Sequence, residues 1–394
     1  MHLATNAGKG LSMSALIENA HLRREEFPLT ATTAYLNHAS IGPFPQRTIS
    51  ALDAMNRAFG EPHILERSGQ LSALDGVRAA VARLCGAAPE RVAFTGSLGH
   101  GISIAAAGLP AASGDEVIVP HAEYPSLALP FLAQEQRGLR VVWAPKNADG
   151  RTDLDAIAGR ITTRTRAIAL SHVEFADGFR NDLRALASLC RERDIVLVVD
   201  ATQSLGAVPI DVDGWGVHAI AAHGYKWVHA GFGIGVLVLS EEGLERIRPT
   251  HAGSQSISSD AFVDEQTLVW KQSAGRFETG SQPFTLLAGL GASISLLEEV
   301  GTQRILPHAL ELLDAVKVGA EELGYTVASS WAPEERSQII ALTTGSREGD
   351  ERLQQALSDA GVATALRPKG VRIAPTFYND MSDVARLLEA LPRR

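Results

Sequence analysis

Cysteine is scarce in this chain: only Cys85 and Cys190 occur among 394 residues. Each follows apolar residues at helical spacing, which places it on the apolar face of a predicted helix. We therefore expect both cysteines in the core, and neither a disulfide nor a cysteine-based metal site. No pattern of the H-E-x-x-H kind is present, so no metal is predicted.

Long apolar runs and basic runs are also absent. No stretch approaches the roughly 20 apolar residues of a membrane span, and residues 1–28 lack the apolar centre of a secretory signal. The net charge of −9 opposes binding to a polyanion, because phosphate backbones attract basic surfaces. We expect a cytoplasmic protein with neither a membrane nor a nucleic acid as partner.

The chain does contain a regular alternation of strand-like and helical runs, and 45% of its residues are hydrophobic. From about residue 72 to 240, short apolar runs bounded by polar residues alternate with helical patterns, which is typical of a mostly parallel sheet between helices. The strand-like runs are 92–94, 117–119, 167–170, 195–199, 219–222 and 235–239.

After Gly280 the pattern changes to a long helical region, 286–299, followed by further helices and short strands. The last helix has an apolar face and a candidate cap at Ser382 or Asp383. We predict three segments, which are an N-terminal arm or helix (1–29), a large α/β domain (30–280) and a smaller α+β domain (281–394).

Two charged residues, Asp200 and Lys226, follow strand-like runs. Open α/β sheets bind ligands at the carboxyl ends of their strands, so both side chains would lie at one edge. Singly, each has an ordinary explanation, since lysine is mostly a surface residue and an aspartate after a strand often caps a helix. Together they indicate pyridoxal phosphate chemistry. A buried lysine can form a Schiff base with the aldehyde, and a carboxylate can keep the pyridine nitrogen protonated.

Five segments, in this order along the chain, resemble the fold-type I pyridoxal-phosphate enzymes. Within that group they resemble the class V aminotransferases, which include cysteine desulfurases, kynureninases and isopenicillin-N-epimerase-like proteins. The likeness covers about residues 34–380. Its segments are 35–39 (YLNHA), 171–173 (SHV), 199–206 (VDATQSLG), 225–227 (YKW) with 233–235 (GIG), and 372–375 (RIAP) before Tyr378 and Asn379. The resemblance implies an α/β fold of type I with a mostly parallel, seven-stranded sheet, a smaller α+β C-terminal domain and a homodimer.

The resemblance also implies roles for individual residues. Lys226 would carry the Schiff base, Asp200 would contact the pyridinium nitrogen, and Gln203 would approach the phenolic oxygen of the cofactor. A turn between a strand and a helix would hold the phosphate with backbone N–H groups. The residues of that turn are Ser97, Leu98 and Gly99.

Further contacts follow from the same resemblance. Tyr124 would stack on the cofactor ring, although a strand-end aromatic can equally belong to a core. His223 and Tyr225 would lie near the phosphate, and Ser281 would reach across a dimer interface. On the substrate side, Arg372 would hold the α-carboxylate, since a guanidinium pairs with it in a bidentate manner. Asn37 and His38 belong to the segment that lines the substrate.

Departures from the family pattern limit the assignment of a reaction. Residues 286–394 contain no cysteine, which disfavours a desulfurase that carries a persulfide on a mobile cysteine. Leu98 and Gly99 replace common threonines in the phosphate turn, Tyr225 replaces a common histidine, and Phe175 stands where many relatives have an asparagine.

Three other classes of protein are disfavoured by the sequence. A hydrolase is disfavoured because Thr95 replaces the first glycine of a G-x-S-x-G turn. A nicotinamide dehydrogenase is disfavoured because the glycine-rich run 231–235 precedes a strand instead of following one. A noncatalytic scaffold would not need Lys226, Asp200 and Arg372 together.

The sequence therefore predicts a pyridoxal-phosphate enzyme for an amino acid or amine. Transamination is the leading reaction, with a carbon–sulfur or carbon–carbon lyase and an epimerase as alternatives.

Overall fold

The computed structural model describes residues 20–61, 67–258 and 268–394. The helices in these ranges are α1 (Ala20–Glu26), α2 (Gln46–Ala58), α3 (Arg67–Cys85), α4 (Leu98–Gly108), α5 (Pro125–Leu132), α6 (Leu154–Ala158), α7 (Leu183–Glu192), α8 (Val212–Trp215), α9 (Glu241–Arg246), α10 (Phe284–Val300), α11 (Thr302–Glu322), α12 (Arg347–Asp359) and α13 (Met381–Ala390). The strands are β1 (Ala34–Tyr35), β2 (Val92–Thr95), β3 (Glu116–Pro120), β4 (Arg140–Ala144), β5 (Thr165–Ser171), β6 (Val196–Asp200), β7 (Ala219–His223), β8 (Gly235–Leu239), β9 (Thr326–Val327), β10 (Ile340–Thr343), β11 (Val362–Ala363), β12 (Ala365–Arg367) and β13 (Gly370–Ile373).

A seven-stranded sheet with the order β2-β8-β7-β6-β5-β3-β4 forms the centre of the molecule. Its neighbours from β7 to β4 pair in parallel, and β8 pairs antiparallel with both β7 and β2. The predicted α/β fold with a mostly parallel sheet is therefore confirmed. Because β5, β6 and β7 are parallel, their carboxyl ends lie at the same edge.

The central strands are buried on both faces, as their continuous apolar sequences require. Leu197 and Val199 of β6 belong to one apolar cluster, which includes residues of α3, α7 and α10. Val196 and Val198 belong to a second cluster, which includes residues of α4 and α5. This period of two distributes the strand between two helix layers.

A second, smaller sheet with the order β12-β13-β10-β9 is antiparallel throughout. It shares an apolar cluster with α11, α12 and α13, and Leu36 from the start of the chain joins the same cluster. Residues before the large sheet are also tied to this part of the chain, since β1 pairs with β11. This α+β arrangement agrees with the predicted fold class.

Helix α10 begins after the predicted boundary at 280/281 but packs against the large sheet. Its buried residues, such as Leu290 and Leu297, belong to the first cluster of the large sheet, whereas Leu312 and Leu313 of α11 belong to the cluster of the small sheet. The domain boundaries at 29/30 and 280/281 stay predictions. Of the segment predicted as an arm or helix, residues 20–26 form α1, and residues 1–19 lie outside the described residues.

The last helix begins differently from the prediction. Its N-cap is Asp380, whose side chain accepts from Ser382 N–H, and Asp383 completes a capping box at the third helical position. The predicted cap at Ser382 was wrong, because Asp380, two residues earlier, accepts from the first free N–H groups. Asp383 does take part in the cap, since it accepts from Asp380 N–H at 3.1 Å.

Within the described residues, no single helix is long and apolar enough to cross a membrane. Helices α10 and α11 pass such a test only together, with a bend of 71° between them. Both helices bury apolar residues in the two clusters described above.

Candidate functional site

Lys226 lies just after β7, at the edge where the parallel strands end. Its side chain is buried, and its Nζ atom lies 5.6 Å from the ring centre of Tyr124 and 5.9 Å from that of Tyr225. Burial lowers the pKa of the Lys226 amine to about 8, Asp200 opposes this shift, and the cations Arg372 and Arg367 add to it. About a tenth of this amine is therefore neutral at pH 7, far more than for an exposed lysine. Only the neutral amine can react with an aldehyde or accept a proton.

The backbone around Lys226 is held by the loop that follows β1. Gly42 N–H donates to the carbonyl of Tyr225 at 2.9 Å. A Cβ atom at Gly42 would overlap the carbonyl oxygen of Lys226, so glycine is needed for this close approach. The loop thereby fixes the position of the lysine backbone.

Asp200 ends β6, beside the lysine, and its side chain is buried. Thr202 N–H donates to its Oδ1 atom at 2.7 Å. Burial raises the pKa of the Asp200 carboxyl, while Thr202 and Lys226 lower it. Among the described residues, no cation lies within 4.0 Å of this carboxylate, so a protonated ring nitrogen would supply the charge that it lacks.

Gln203 is fixed by both ends of its side-chain amide. Its Nε2 atom donates to the carbonyl of Ala39 at 2.9 Å, and its Oε1 atom accepts from Trp227 Nε1 at 2.8 Å. The backbone carbonyl of Gln203 also accepts a hydrogen bond from Gln338 Nε2 at 2.5 Å. These contacts join the segments of Asp200 and Lys226, and the predicted contact of Gln203 with the phenolic oxygen stays a prediction.

The predicted phosphate turn lies at the N-terminus of α4. Ser97 is the N-cap residue, and its Oγ atom accepts from His100 N–H at 3.1 Å. The N–H of Leu98 donates to His223 Nδ1 at 3.4 Å, and the long distance leaves this donor weakly satisfied. Gly99 packs against Ser126, where a Cβ would come within 3.7 Å of the Ser126 Cβ. A helix N-terminus with such donors suits an anion.

His223, at the end of β7, is next to this turn. Burial lowers the pKa of its imidazole to about 4, and Lys226 adds to the shift. The ring is therefore neutral near pH 7, and its Nδ1 atom is free to accept from Leu98. Tyr225 lies 4.7 Å from the His223 ring and stacks on Phe232 at 4.4 Å. Burial raises the pKa of the Tyr225 phenol, which stays protonated.

Tyr124 lies between Lys226 and Phe175. It is the N-cap residue of α5, and its ring meets the Phe175 ring edge to face at 5.4 Å. The aromatic pair closes one side of the space in front of Lys226. Because both side chains are aromatic, this wall is largely apolar.

Arg372 projects from β13 and is one of the largest fully buried side chains. Its Nη1 atom donates to the carbonyl of Phe175 at 2.5 Å, and its Nη2 atom donates to Ser40 Oγ at 2.7 Å. Burial lowers the pKa of this guanidinium to about 9, and Arg367 adds to the shift. The structure thus places Arg372 beside the Tyr124–Phe175 wall. A residue that binds the carboxylate of a substrate would have to lie there.

Arg367 and Ser40 were missed by sequence reasoning. Arg367 lies on β12, where Ala365 is paired with Arg372. Because side chains alternate along a strand, Arg367 shares the face of Ala365 and hence of Arg372. The turn signal at Pro368 and Lys369, which predicts a tight hairpin, could have revealed this relation.

Two buried carboxyl groups, Glu123 and Glu174, were also missed. Glu123 accepts from the N–H of Ser171 at 2.8 Å and from its Oγ–H at 2.6 Å. Glu174 accepts from Thr152 Oγ1 at 3.0 Å and pairs with Lys146 at 3.1 Å. Burial raises the pKa of Glu123 to about 8, and the nearby Glu174 adds to the shift. A protonated acid therefore lies directly before Tyr124 in the chain.

The structure does not bring every predicted residue to the same place. His38 is fully buried and packs among the rings of Trp227, His229 and Tyr378 at 5.0–5.5 Å. Burial holds the pKa of the His38 imidazole well below its usual range, and His229 adds to the shift. The ring of His38 is therefore a core side chain, and its predicted place on the substrate side stays a prediction.

Asn37 and Ser281 differ from each other in exposure. The Oδ1 atom of Asn37 is buried and has no hydrogen-bond partner among the described residues, which leaves it available to a bound molecule. Ser281 is exposed, as a residue directed at a partner subunit would be in an isolated protomer. The predicted roles of both stay predictions.

The two cysteines lie in the core. Cys85 and Cys190 are free and buried, and burial raises the pKa of both thiols to about 12. Thiols of this kind are poor nucleophiles, because the reactive form is the thiolate.

These residues fit pyridoxal phosphate. The aldehyde requires an amine such as Lys226, the ring nitrogen requires a carboxylate such as Asp200, and the phosphate requires donors such as those at the start of α4. The buried carboxylate without a cation, together with the orphaned Oδ1 of Asn37, shows that the site has polar groups left for a ligand.

Comparison with known proteins gives a consistent result. The profile of the family "Aminotransferase class-V" matches residues 34–387. A probable cysteine desulfurase of Methanothermobacter thermautotrophicus is 28% identical over 313 residues, which are 78% of this chain and 75% of the relative. An uncharacterized aminotransferase of Bacillus subtilis is 28% identical over 317 residues, or 79% of this chain and 80% of the relative.

Solved structures share the fold. The apo structure of a cysteine desulfurase from Thermococcus onnurineus NA1 has a TM-score of 0.83 at 22% identity and covers 93% of this chain and 95% of its own. The cystine C–S lyase C-DES, in complex with cysteine persulfide, has a TM-score of 0.84 at 23% identity and covers 92% and 98%. The predicted resemblance, fold and cofactor are confirmed by these matches.

Proposed function

Because the chain belongs to the class-V aminotransferase family, we propose that it acts with pyridoxal phosphate at the α-carbon of an amino acid and transfers the amino group. The observation that supports this proposal is the position of Lys226, a buried amine with a pKa of about 8 that faces Tyr124 and is influenced by Asp200 and Arg372. A scaffold protein would gain nothing from an amine that is costly to bury.

Bound pyridoxal phosphate supplies an aldehyde that condenses with amines and a ring that accepts electrons from the substrate α-carbon. The protein supplies the remaining functions. Asp200 would hold positive charge at the ring nitrogen, and the N–H groups at the start of α4 would hold the phosphate. Tyr124 would shield the bound cofactor from water.

Lys226 and Arg372 act on the substrate itself. Arg372 binds the α-carboxylate and so orients the bonds at the α-carbon. As a neutral amine, Lys226 would take the proton from the substrate α-carbon. In a transamination the same amine would return this proton to the carbon that carried the aldehyde of the cofactor.

A second candidate is a carbon–sulfur lyase that forms no enzyme persulfide. The relatives named cysteine desulfurase favour sulfur chemistry, whereas the burial and raised pKa of Cys85 and Cys190 oppose a sulfur carrier in this chain. In such a reaction cysteine and water would give sulfide, ammonia and pyruvate, and no sulfur would remain on the protein.

Borohydride reduction tests the site. The purified protein should be yellow, and reduction followed by peptide mapping should find a pyridoxyl group on Lys226. The Lys226→Ala variant should lack the adduct while keeping its fold by circular dichroism. A colourless protein that takes up no cofactor, or an adduct on another lysine, would refute the assignment.

A product assay separates the reactions. The holoenzyme is incubated with a panel of L-amino acids, with and without 2-oxo acids, and the products are identified by mass spectrometry. Amino-group exchange that depends on the oxo acid supports transamination. Sulfide and pyruvate without an oxo acid support the lyase, and inversion of the substrate supports an epimerase.

A further inference from the structure

Two guanidinium groups converge on one hydroxyl beside the proposed site. Arg372 Nη2 donates to Ser40 Oγ at 2.7 Å, and Arg367 Nη2 donates to the same atom at 2.9 Å. One serine oxygen has two lone pairs and can accept both bonds. The two cations are therefore held side by side by a neutral group.

Neither cation has a negative partner in the part of the chain that the structure describes. No carboxylate lies within 4.0 Å of Arg367 or Arg372, and their other acceptors are the carbonyls of Leu366 and Phe175. The Nε atom of Arg372 is buried without any partner. Burial lowers the pKa of both guanidinium groups, and Tyr124 opposes this effect.

Several other partly buried cations of this protein have carboxylate partners, although Arg160 and Arg276 bond only to backbone carbonyls among the described residues. Arg78 pairs with Glu278 at 2.6 Å, and Lys146 pairs with Glu174 at 3.1 Å. Lys369, which follows Arg367 by two residues, pairs with Asp177 at 2.5 Å. Burying two adjacent cations without such partners costs free energy unless a ligand neutralises them. One carboxylate would neutralise only one of them.

We propose that Arg367 and Arg372 together bind a substrate with two acidic groups, and this inference rests on the proposed function. Arg372 holds the α-carboxylate, and Arg367 holds the acidic group of the side chain. Since both arginines lie on the same face of the β12–β13 hairpin, the two acidic groups are separated by only a few bonds. The substrate class is thus a dicarboxylic amino acid or an analogue with a sulfinate or sulfonate.

The apolar wall is consistent with this class. Phe175 and Tyr124 meet edge to face beside the guanidinium of Arg372, and they offer no donor for a neutral polar side chain except the phenol. Recognition of the side chain then depends on charge, which Arg367 supplies.

Calorimetric titration of the holoenzyme with unreactive acids tests the proposal. The probes are glutarate and butyrate, which have similar length and carry two and one carboxylates, and neither has an amino group that could react. Wild-type protein should bind glutarate at least about tenfold more tightly than butyrate, a difference of about 1.4 kcal/mol.

The variant Arg367→Gln should lose most of this preference and keep its affinity for butyrate within about twofold. As a control, Arg347→Gln removes an exposed arginine whose partner is Glu351 on the surface, and it should behave as the wild type does. Equal affinities for the two acids in the wild type, no binding of glutarate, or a preference that survives in Arg367→Gln would each overturn the inference. If Arg367→Gln lowers the affinity for glutarate and for butyrate by the same factor, the two arginines share one carboxylate and the inference is wrong.

This experiment is independent of turnover. The cofactor content and the pyridoxyl adduct on Lys226 are measured in the same preparations. If the pyridoxyl adduct forms on a lysine other than Lys226 while glutarate is still preferred, the assignment of the cofactor site is wrong and the two-anion site stands. If the adduct forms on Lys226 and the preference for glutarate over butyrate is absent, the two-anion site is wrong and the assignment of the cofactor site stands.

Discussion

At the scale of the residue, Lys226 shows how the fold changes the chemistry of a side chain. Burial lowers the pKa of its amine, Asp200 opposes the change, and Arg372 adds to it. An exposed lysine titrates near 10.4, so the environment makes the neutral form far more abundant near neutral pH. The sequence predicted the position of this lysine, because it follows an apolar run, but not the neighbouring Arg367.

The first prediction is a pH dependence of cofactor attachment. The rate at which the apoprotein combines with pyridoxal phosphate should rise with pH and be half-maximal at about pH 8, since the reactive amine of Lys226 has a pKa of about 8. In Asp200→Asn the midpoint should move to lower pH, because the group that opposes the shift is gone. Stopped-flow absorbance measures the rate. A midpoint near that of an exposed lysine would contradict the proposed environment.

The second prediction concerns Glu123, whose carboxyl has its pKa raised to about 8 by burial and by Glu174. The unfolded chain loses this proton near pH 4.5, its usual value, whereas the folded protein keeps it up to about pH 8. The stability of the wild type should therefore fall, relative to Glu123→Gln, as the pH rises from about 4.5 to about 8. The amide resembles the protonated acid and can still bond to Ser171.

Melting temperatures of the wild type and Glu123→Gln at pH 5, 7 and 8.5 measure this difference. Lys146 favours ionisation of Glu123, while Asp177 raises the pKa of Glu174, so the result reports the whole buried cluster. A constant difference between the two proteins across this pH range would show that Glu123 is ionised in the fold.

At the scale of the element, apolar runs predicted most of the central sheet. Six strands were recognised because each is continuous and buried on both faces, and the helix predicted at 286–299 is α10 (Phe284–Val300). The strand β4 (Arg140–Ala144) was not recognised, because it lies at the edge of the sheet and is only partly buried. Contacts such as Ser40 with Arg367 could not be predicted, since they join segments that are distant in the sequence.

The third prediction tests the close approach of the loop after β1 to the lysine segment. In Gly42→Ala the new methyl group would meet the carbonyl oxygen of Lys226, so the loop or the lysine must move. We expect a loss of about 1–3 kcal/mol of stability and a lower cofactor content. Thermal unfolding and absorbance measure both effects.

A matched control is available in α3. Gly76 is exposed, and a Cβ there would meet nothing within 4 Å. Gly76→Ala should therefore leave the cofactor content unchanged and raise stability by up to about 1 kcal/mol, because alanine favours the helix. If the two variants behave alike, the close contact at Gly42 has no special role.

At the scale of the whole molecule, an exposed apolar surface borders the site. Phe232 is 57% exposed although its ring stacks on Tyr225, and Phe59 is 47% exposed and contacts Phe284 at 6.5 Å between ring centres. Leu286, on the same helix as Phe284, packs against Gly231 and Gly233 on either side of Phe232. Both exposed rings thus lie on segments that pack against α10, and we infer that they form one apolar surface of the kind that is typical of an interface between subunits.

The fourth prediction is that this surface is the interface of a homodimer, as the sequence led us to expect. Sedimentation equilibrium of the wild type should give the mass of two chains. Phe59→Asp should shift the equilibrium towards the monomer, because a carboxylate buried in an apolar interface lacks a partner.

Val318→Asp is the control, since it replaces another exposed apolar residue, 56% exposed on α11. Val318 lies outside this surface, so its replacement should leave the dimer intact. A wild type that is monomeric at micromolar concentration, or an equal effect of the two variants, would show that subunits do not meet at this surface. Ser281 would then have no partner subunit to reach there.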